Sequence, residues 1–331
     1  MQTLAQPSAL LDLHFNPSPG QQDVCAAVSS TATLAMFKFS PHGSPPLKHL
    51  QTMDMKALTG GDDEPEPGSE VLFLSFCWHP SKPDIIAIST STGNVHLVDL
   101  GGPGGQRALH TKPVLTHSLE AWCVAISPSL SPPDHEGVDV FTLLSGGDDS
   151  VLRYKTCTER TAGEETRLGY TFDDFSPAIR RGHDAGVTAI LPLSLRDDVS
   201  ELVVTGSYDD HIRLFSLASG GRSSATTQKL AESNLGGGVW RLKLVALGHD
   251  QAGDSSWRAV ILASCMHAGA RVVELSKNSS GAYEFRILAS FVEHKSMNYG
   301  SDFGTDQKGN LVVVSTSFYD KLLCLWEVSM A

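Results

Sequence analysis

The sequence predicts an all-β chain: a β-propeller built from copies of one short hairpin. Three observations carry that reading. First, Val203–Leu217 reads as strand, tight polar turn, strand: Val203 and Val204 are β-branched and apolar, and Gly206-Ser-Tyr-Asp-Asp210 is turn chemistry. In its second half Ile212, Leu214 and Ser216 alternate with His211, Arg213 and Phe215, the period of two that buries one face of a strand. Second, the segment recurs. Ile261–Leu275 lies on it without a gap, and Val314–Trp326 repeats the Tyr-Asp turn with Trp326 in the place of Phe215. Thr142–Tyr154 and Ile86–Val98 are further copies, and Asp148-Asp149, Asp209-Asp210 and Asp320 return at the same turn. Third, a lone hairpin cannot bury its apolar face in water, so copies spaced at roughly 30 to 60 residues imply blades packed on one another.

Taken in order, most copies follow another short strand: Leu11–Phe15, Phe73–Trp78, Ala121–Ile126, Val187–Leu191, Val239–Leu244 and Tyr299–Phe303. Val24–Ala27 and Leu34–Phe39 supply a weaker first hairpin. Six repeats are visible, and seven blades are possible; residues 40–69 show no third-strand pattern for a seventh. That stretch is rich in Pro, Gly and acid and reads as an exposed, flexible insertion between blades, with only Leu47–Met55 a candidate outer strand. Residues 101–105, 157–182, 220–224 and 250–256 read as polar loops. Gly101–Gly105 lacks the Lys-Ser/Thr of a phosphate loop. The expectation is one propeller domain over residues 1–331.

Composition narrows the partners. With 331 residues, 41% of them hydrophobic, the chain has enough apolar side chains to fold. Its net charge of −12, with Lys and Arg dispersed, argues against nucleic acid or anionic lipid as direct ligand and suits a cationic ligand or a basic protein surface. No apolar run approaches the ~20 residues of a membrane span. The first residues lack the basic-then-apolar pattern of a signal peptide. The six cysteines form no C-x-x-C, and four fall in strands as small core residues. A reduced cytoplasmic setting is the expectation.

Generic catalytic signatures are absent: there is no G-x-S-x-G, no H-E-x-x-H, and no Cys/His set with zinc spacing. No cofactor or metal is expected. What the chain does carry is Gly182-His183 with Asp209 and Phe215, His294 with Asp320 and Trp326, and a less complete His117 with Asp149. In these it resembles the WD-repeat propellers, whose His and Asp side chains are implied to bond each other and hold each blade. Other stretches exceed what a blade needs: Gly236-Gly-Gly-Val-Trp-Arg241, Ser264-Cys-Met-His267, Glu293-His-Lys-Ser-Met-Asn-Tyr-Gly-Ser-Asp302 and Ser118-Leu-Glu-Ala-Trp122. Together with Gly206–Asp209 and Ser317–Asp320, these resemble the diphthine methylesterase family over roughly residues 115–328. Phe215 in place of Trp and the Asn-Tyr-Gly-Ser-Asp-Phe version of the last motif are small departures.

The resemblance implies a substrate: a modified histidine of translation elongation factor 2, bearing a quaternary ammonium beside a methyl ester. Hydrolysis would expose the carboxylate for a later amidation. A fixed cation without N–H groups is held by aromatic faces and carboxylates. Trp122, Trp240 and Tyr299 fall at first-strand entries, and Tyr208 and Tyr319 at second turns, which share one face of a propeller; they are the substrate-binding candidates, with Arg241. His267 is the candidate general base for an attacking water. Cys265 is an alternative nucleophile, and Asp302 could orient a His or face the ammonium. The amides of Gly236–Gly238, or Arg241, could stabilise the oxyanion. Each candidate also has a purely structural reading, as inter-blade packing, a core thiol or a tight strand entry. Two other readings stand beside this one: a non-catalytic scaffold or substrate adaptor, and an esterase of broad range.

Overall fold

The structure is a computed structural model. It describes residues 2–58, 70–101, 108–109, 112–128, 138–160, 169–174, 176–197, 200–218, 227–249 and 256–329. The chain is all-β and carries six propeller blades in two compact units, Met1–Arg180 and Arg181–Ala331.

The first unit holds three antiparallel sheets. One runs β1 (Leu10–Phe15), β2 (Val24–Ser29), β3 (Thr33–Phe39), β4 (Leu47–Asp54). The next runs β5 (Phe73–Trp78), β6 (Ile85–Thr90), β7 (Asn94–Asp99), β8 (Ala108–Leu109), with β9 (Leu115–Thr116) also pairing β7. The third runs β10 (Ala121–Pro128), β11 (Val140–Gly147), β12 (Leu152–Glu159), β13 (Tyr170–Phe172), with β14 (Ala178–Ile179) on the same strand β12. The second unit repeats the order. Its sheets are β15 (Val187–Asp197), β16 (Ser200–Ser207), β17 (His211–Ala218), β18 (Gln228–Asn234); then β19 (Arg241–His249), β20 (Trp257–Ser264), β21 (Ala270–Lys277), β22 (Tyr283–Phe291); and finally β23 (Gly300–Thr305), β24 (Leu311–Ser317), β25 (Leu322–Val328).

Blade-on-blade packing explains which strands the sequence announces. β2, β6 and β16 are buried at every position, and β6 lies between the first and third sheets of its unit. Such strands read as continuous apolar runs, without alternation; Val-Cys-Ala-Ala-Val-Ser and Ile-Ile-Ala-Ile-Ser-Thr are the examples. Ala26, Val28, Leu34, Phe73, Phe76, Ile86 and Ile88 form one interleaved core in the first unit. In the second, Leu202, Val204, Leu214, Ile261, Ala263 and Val273 form another.

The candidate outer strand at Leu47–Met55 is present, and one loop expectation is corrected. Leu47–Asp54 is a full outer strand paired with β3, followed by a short 3-10 turn at Lys56–Leu58; the rest of the expected insertion, residues 59–69, lies outside the described residues. Residues 157–182 are not simply a loop: they finish β12 and supply β13 and β14. The loop expectations at 101–105, 220–224 and 250–256 fall, apart from Gly101 and Ser256, outside the described residues.

The histidine locks differ from blade to blade. In the third sheet His117 Nδ1 meets Asp149 Oδ1 at 2.8 Å, and its Nε2 meets Ser145 Oγ at 2.9 Å. In the fourth, His183 Nε2 meets Thr205 Oγ1 at 2.8 Å, while Asp209 turns to Arg213 Nη1 at 2.8 Å and the Asp184 amide at 2.8 Å. Burial raises the Asp209 carboxyl, but Arg213 and these amides outweigh it and bring it to about 2. Burial, reinforced by the Arg213 cation, pushes His183 down to about 3. In the sixth, Trp326 Nε1 donates to Ser315 Oγ at 3.0 Å, which pairs with His294 Nε2 at 3.1 Å.

A histidine depressed in this way stays neutral when folded and takes a proton once unfolded. Its contribution is present above its ordinary value of 6.5 and is lost as pH falls from there toward 3. His117 and His294 are lowered by burial in the same direction. Denaturant midpoints should therefore fall between pH 6.5 and 5, above the carboxylate range, by up to about 1.4 kcal/mol per pH unit for each such histidine. The slope should flatten in His183→Gln; an unchanged slope removes His183 from the account.

Candidate functional site

In the second unit, β16, β20 and β24 run toward one end, and β19 and β23 start from it. The turns at that end carry a row of aromatic rings. Tyr208 opens the β16–β17 turn, Trp240 precedes β19, Tyr299 precedes β23, and Phe318 and Tyr319 follow β24. Neighbouring centroids are 5.7 Å apart for Tyr208–Trp240, 5.2 Å for Trp240–Tyr299, 5.8 Å for Tyr299–Phe318 and 5.1 Å for Phe318–Tyr319. Tyr208, Trp240 and Tyr299 are partly buried, whereas Phe318 and Tyr319 are 64% and 72% exposed. Four of the six binding candidates thus stand in one row. Phe318, which joins Tyr299 to Tyr319, was not singled out from the sequence. Its signal was present in the Ser-Phe-Tyr-Asp turn, where an apolar ring at a turn tip has no core to enter.

Close backbone approach sets the row. The amide of Trp240 bonds the carbonyl of Ser264 and that of Val239 bonds Ser207, both near 2.8–2.9 Å. A Cβ on Gly237 would strike the Cys265 carbonyl oxygen, and one on Gly238 would lie 2.6 Å from Met266 Sδ. The glycine run therefore lets the loop before β19 lie on the β20–β21 turn. The Gly236 amide is already taken by Asn234 Oδ1 at 2.8 Å, so it is withdrawn as an oxyanion donor. Fully buried Asn298 ties the next loop down: its amide donates to Met266 O at 2.9 Å, and its Nδ2 to Thr316 O at 2.8 Å and Gly300 O at 3.0 Å. Ser301 Oγ donates to Asn298 Oδ1 at 3.2 Å and in turn receives Ser264 Oγ at 2.9 Å. Tyr299 is held between these anchors, and burial, with Tyr319 beside it, raises its phenol.

His267 is exposed at the β20–β21 turn. With His294, Lys295, Ser296, Met297 and Tyr319 it lines an open hollow of about 340 Å³ at the end of the row. Two catalytic candidates are corrected. Cys265 is fully buried, its Sγ turned to Ala263 O, and burial pushes its thiol up to about 12; it cannot supply a thiolate. Asp302 lies on β23, paired with Lys243 Nζ at 2.7 Å, and borders a separate hollow with Phe303, Val312 and Val314. It neither orients His267 nor has an uncompensated charge for an ammonium. Arg241 rests its guanidinium 5.5 Å from the Trp240 ring centre, so one aromatic face there already carries a cation. Trp122 belongs to the first unit, where its Nε1 donates to Asp148 Oδ1 at 3.0 Å. Among the described residues no group of three or more His, Cys, Asp or Glu could hold a metal, and no helix is long and apolar enough to cross a membrane.

This is a WD-type propeller with an aromatic row and an exposed histidine on one face. Solved structures agree on the fold: Sqt1 of Chaetomium thermophilum, bound to the N-terminus of ribosomal protein L10, matches 96% of this chain and 70% of its own with a TM-score of 0.55 at 14% identity. No protein-family model matches. Among curated proteins, the chain is similar to the diphthine methyltransferase of Schizosaccharomyces pombe (27% identical, 96% of this chain, 78% of the relative). It is also similar to those of Saccharomyces cerevisiae (33%, 64% of this chain) and Homo sapiens (29%, 71% of this chain). It spans only 50% and 44% of the latter two.

Asn298→Ala removes the side-chain bonds to two backbone carbonyls, of Gly300 and Thr316, and to the Ser301 hydroxyl. It should cost about 2–4 kcal/mol, read as a lowered denaturation midpoint, and should loosen the Tyr299 loop, read as faster amide exchange at 296–300. A variant as stable as the parent excludes Asn298 as the anchor.

Proposed function

We propose that this chain hydrolyses the methyl ester of methylated diphthine on elongation factor 2, in the cytoplasm, leaving diphthine for amidation. The observation that carries the reading is the aromatic row ending beside His267. The relatives are named for methyl chemistry at diphthine; the direction proposed here is transfer of the ester's acyl carbon to water.

The quaternary ammonium of this substrate offers no hydrogen to donate, so ring faces must hold it, at ~0.5–2 kcal/mol per contact. Because Arg241 covers one face of Trp240, the ammonium belongs at the open end, against Tyr299, Phe318 and Tyr319. The net charge of −12 favours a cationic segment of the partner. The ester then reaches the hollow. His267 takes a proton from water as the oxygen attacks the carbonyl carbon. The intermediate collapses with cleavage of the acyl C–O bond, and the methoxide leaves as methanol on taking a proton from His267. The products are a carboxylate, methanol and one released proton.

Methanol release from methylated elongation factor 2 tests this without any methyl donor. His267→Ala should lower kcat/KM by 10²–10⁴-fold. Phe318→Leu and Tyr319→Leu should each raise KM by about 2–30-fold, the span of one cation–π contact. Cys265→Ala should hydrolyse at the parent rate. Tight binding of the factor without methanol would favour the scaffold reading; equal turnover of small aryl esters would favour a broad esterase.

A further inference from the structure

The last sheet of the second unit differs from the others at its outer edge. The other five sheets each have four or five strands; this one ends at β25, and among the described residues no strand pairs with its outer side. The outer strands of the other two sheets in this unit carry charge along their length: Lys229 and Glu232 in β18, Glu284 and Arg286 in β22. Such charges keep one free edge from pairing with another. β25 reads Leu-Leu-Cys-Leu-Trp-Glu-Val, with no charge between Lys321 and Glu327. It is exposed as well as apolar: Leu323 and Leu325 are 72% and 70% exposed, and Leu322 is exposed beside them. Register sets Leu325 beside Val314 of β24, which is exposed too. Trp326 and Val328 point the other way and pack on the core between the fifth and sixth sheets. The edge thus offers backbone groups for a further strand, flanked by exposed apolar side chains.

The strand itself specifies what fits there. Two copies of one strand pair antiparallel about a two-fold axis, so residues equally far from the axis on either side face one another. With the axis at Cys324, Leu323 meets the partner's Leu325, Leu322 meets the partner's Trp326, and Lys321 meets the partner's Glu327. Each of these pairs is made twice. Lys-Leu-Leu-Cys-Leu-Trp-Glu is therefore complementary to itself in both apolarity and charge. An axis at Leu325 would set Leu323 against the partner's Glu327, and one at Leu323 would set Lys321 against the partner's Leu325. We propose that β25 is a docking edge for a second copy of this chain, which joins antiparallel about Cys324 and makes one six-stranded sheet from two three-stranded ones. Backbone hydrogen bonds attach the copies, and the leucine and charge pairs fix the register. Asp320 then lies opposite the partner's Val328, so the two aromatic rows stand at opposite ends of the shared sheet. One strand pair is a small interface, and a micromolar dissociation constant is expected.

Sedimentation equilibrium of the purified chain across the micromolar range should show monomer and dimer in exchange. Lys321→Glu and Glu327→Lys each set like charges opposite one another at both ends of the strand pair. Each should weaken the dimer by about 2–30-fold, the span of two cross-strand pairs. The double variant swaps the charges and should regain the parent constant. Leu323→Lys with Leu325→Lys should leave a monomer at every concentration. The charge series alters only surface side chains, so it decides the matter even where the double lysine variant folds poorly. A short bismaleimide should couple two copies through Cys324; the product should vanish in Cys324→Ser and persist in Cys77→Ser, the other incompletely buried thiol. A chain that stays monomeric throughout overturns the proposal and leaves the edge to a strand from a different protein. A dimer indifferent to the leucine changes overturns it as well. A dimer weakened by both single charge changes and not restored by the double overturns the register about Cys324.

Discussion

The constraint on which the rest depends is that inner strands such as β6 and β20 are packed between two sheets, whereas β24, in the last sheet, keeps exposed positions on one face. A residue in β20 has a neighbouring sheet above and another below, and nearly all of its positions are buried. Polar chemistry is therefore expelled from the strands. It survives where backbone must turn, and antiparallel meanders return every second turn to the same end. Within the second unit this alone brings residues 208, 240, 267, 299 and 319 together from over a hundred positions of chain. No element of the site was built for proximity in sequence.

The same constraint explains why polar side chains that do lie inside come as sets. His117, Ser145 and Asp149 satisfy one another; His183 bonds Thr205 through Nε2 alone, and Asp209 pairs with Arg213. A buried imidazole without partners would cost too much, and a charged one more still. Burial accordingly lowers all three of His117, His183 and His294. The locks use different hydrogen-bond routes to one end, which is why the fourth blade tolerates Phe215 in the Trp position: its ring lies 5.3 Å from His183 and packs where the sixth blade's Trp326 donates to Ser315. Substituting a donor by an apolar ring is harmless where the acceptor has other partners.

Much of this was legible in the chain. The Asp-bearing turns and the Gly-free apolar runs disclosed the repeat, and the aromatic residues at turn tips disclosed the row, because a large ring placed beside Asp or Gly in a turn has nowhere to pack. The outer strands were less legible. β4, Leu-Lys-His-Leu-Gln-Thr-Met-Asp, shows no regular alternation, and β13, Tyr-Thr-Phe, is too short to show a period although Tyr170 and Phe172 pack on the core. Cys265 was misjudged for a geometric reason. Two residues along a strand share a face, but the chain leaves β20 at Ser264 and enters a turn in which Met266 has a φ of +44°. The alternation that would have aligned Cys265 with His267 ends there, and one side chain goes to the core while the other goes to solvent. Asp302 failed otherwise: nothing in the sequence announces that Lys243, from another blade, will neutralise it.

Electrostatics orders the row. Trp240 is its most electron-rich ring, yet Arg241 lies over it and holds a positive charge at that end. A second cation there would meet repulsion, while the far end offers Phe318 and Tyr319, exposed and, among the described residues, without such a cation contact, beside the carboxylate of Asp320. The gradient runs toward the hollow that contains His267. An ammonium sliding to its best position would thus carry the neighbouring ester to the only exposed histidine of that hollow. The side-chain burial that disqualifies Cys265 and the exposure that qualifies His267 are two consequences of one turn, whose conformation is fixed in turn by Gly237 lying against its backbone.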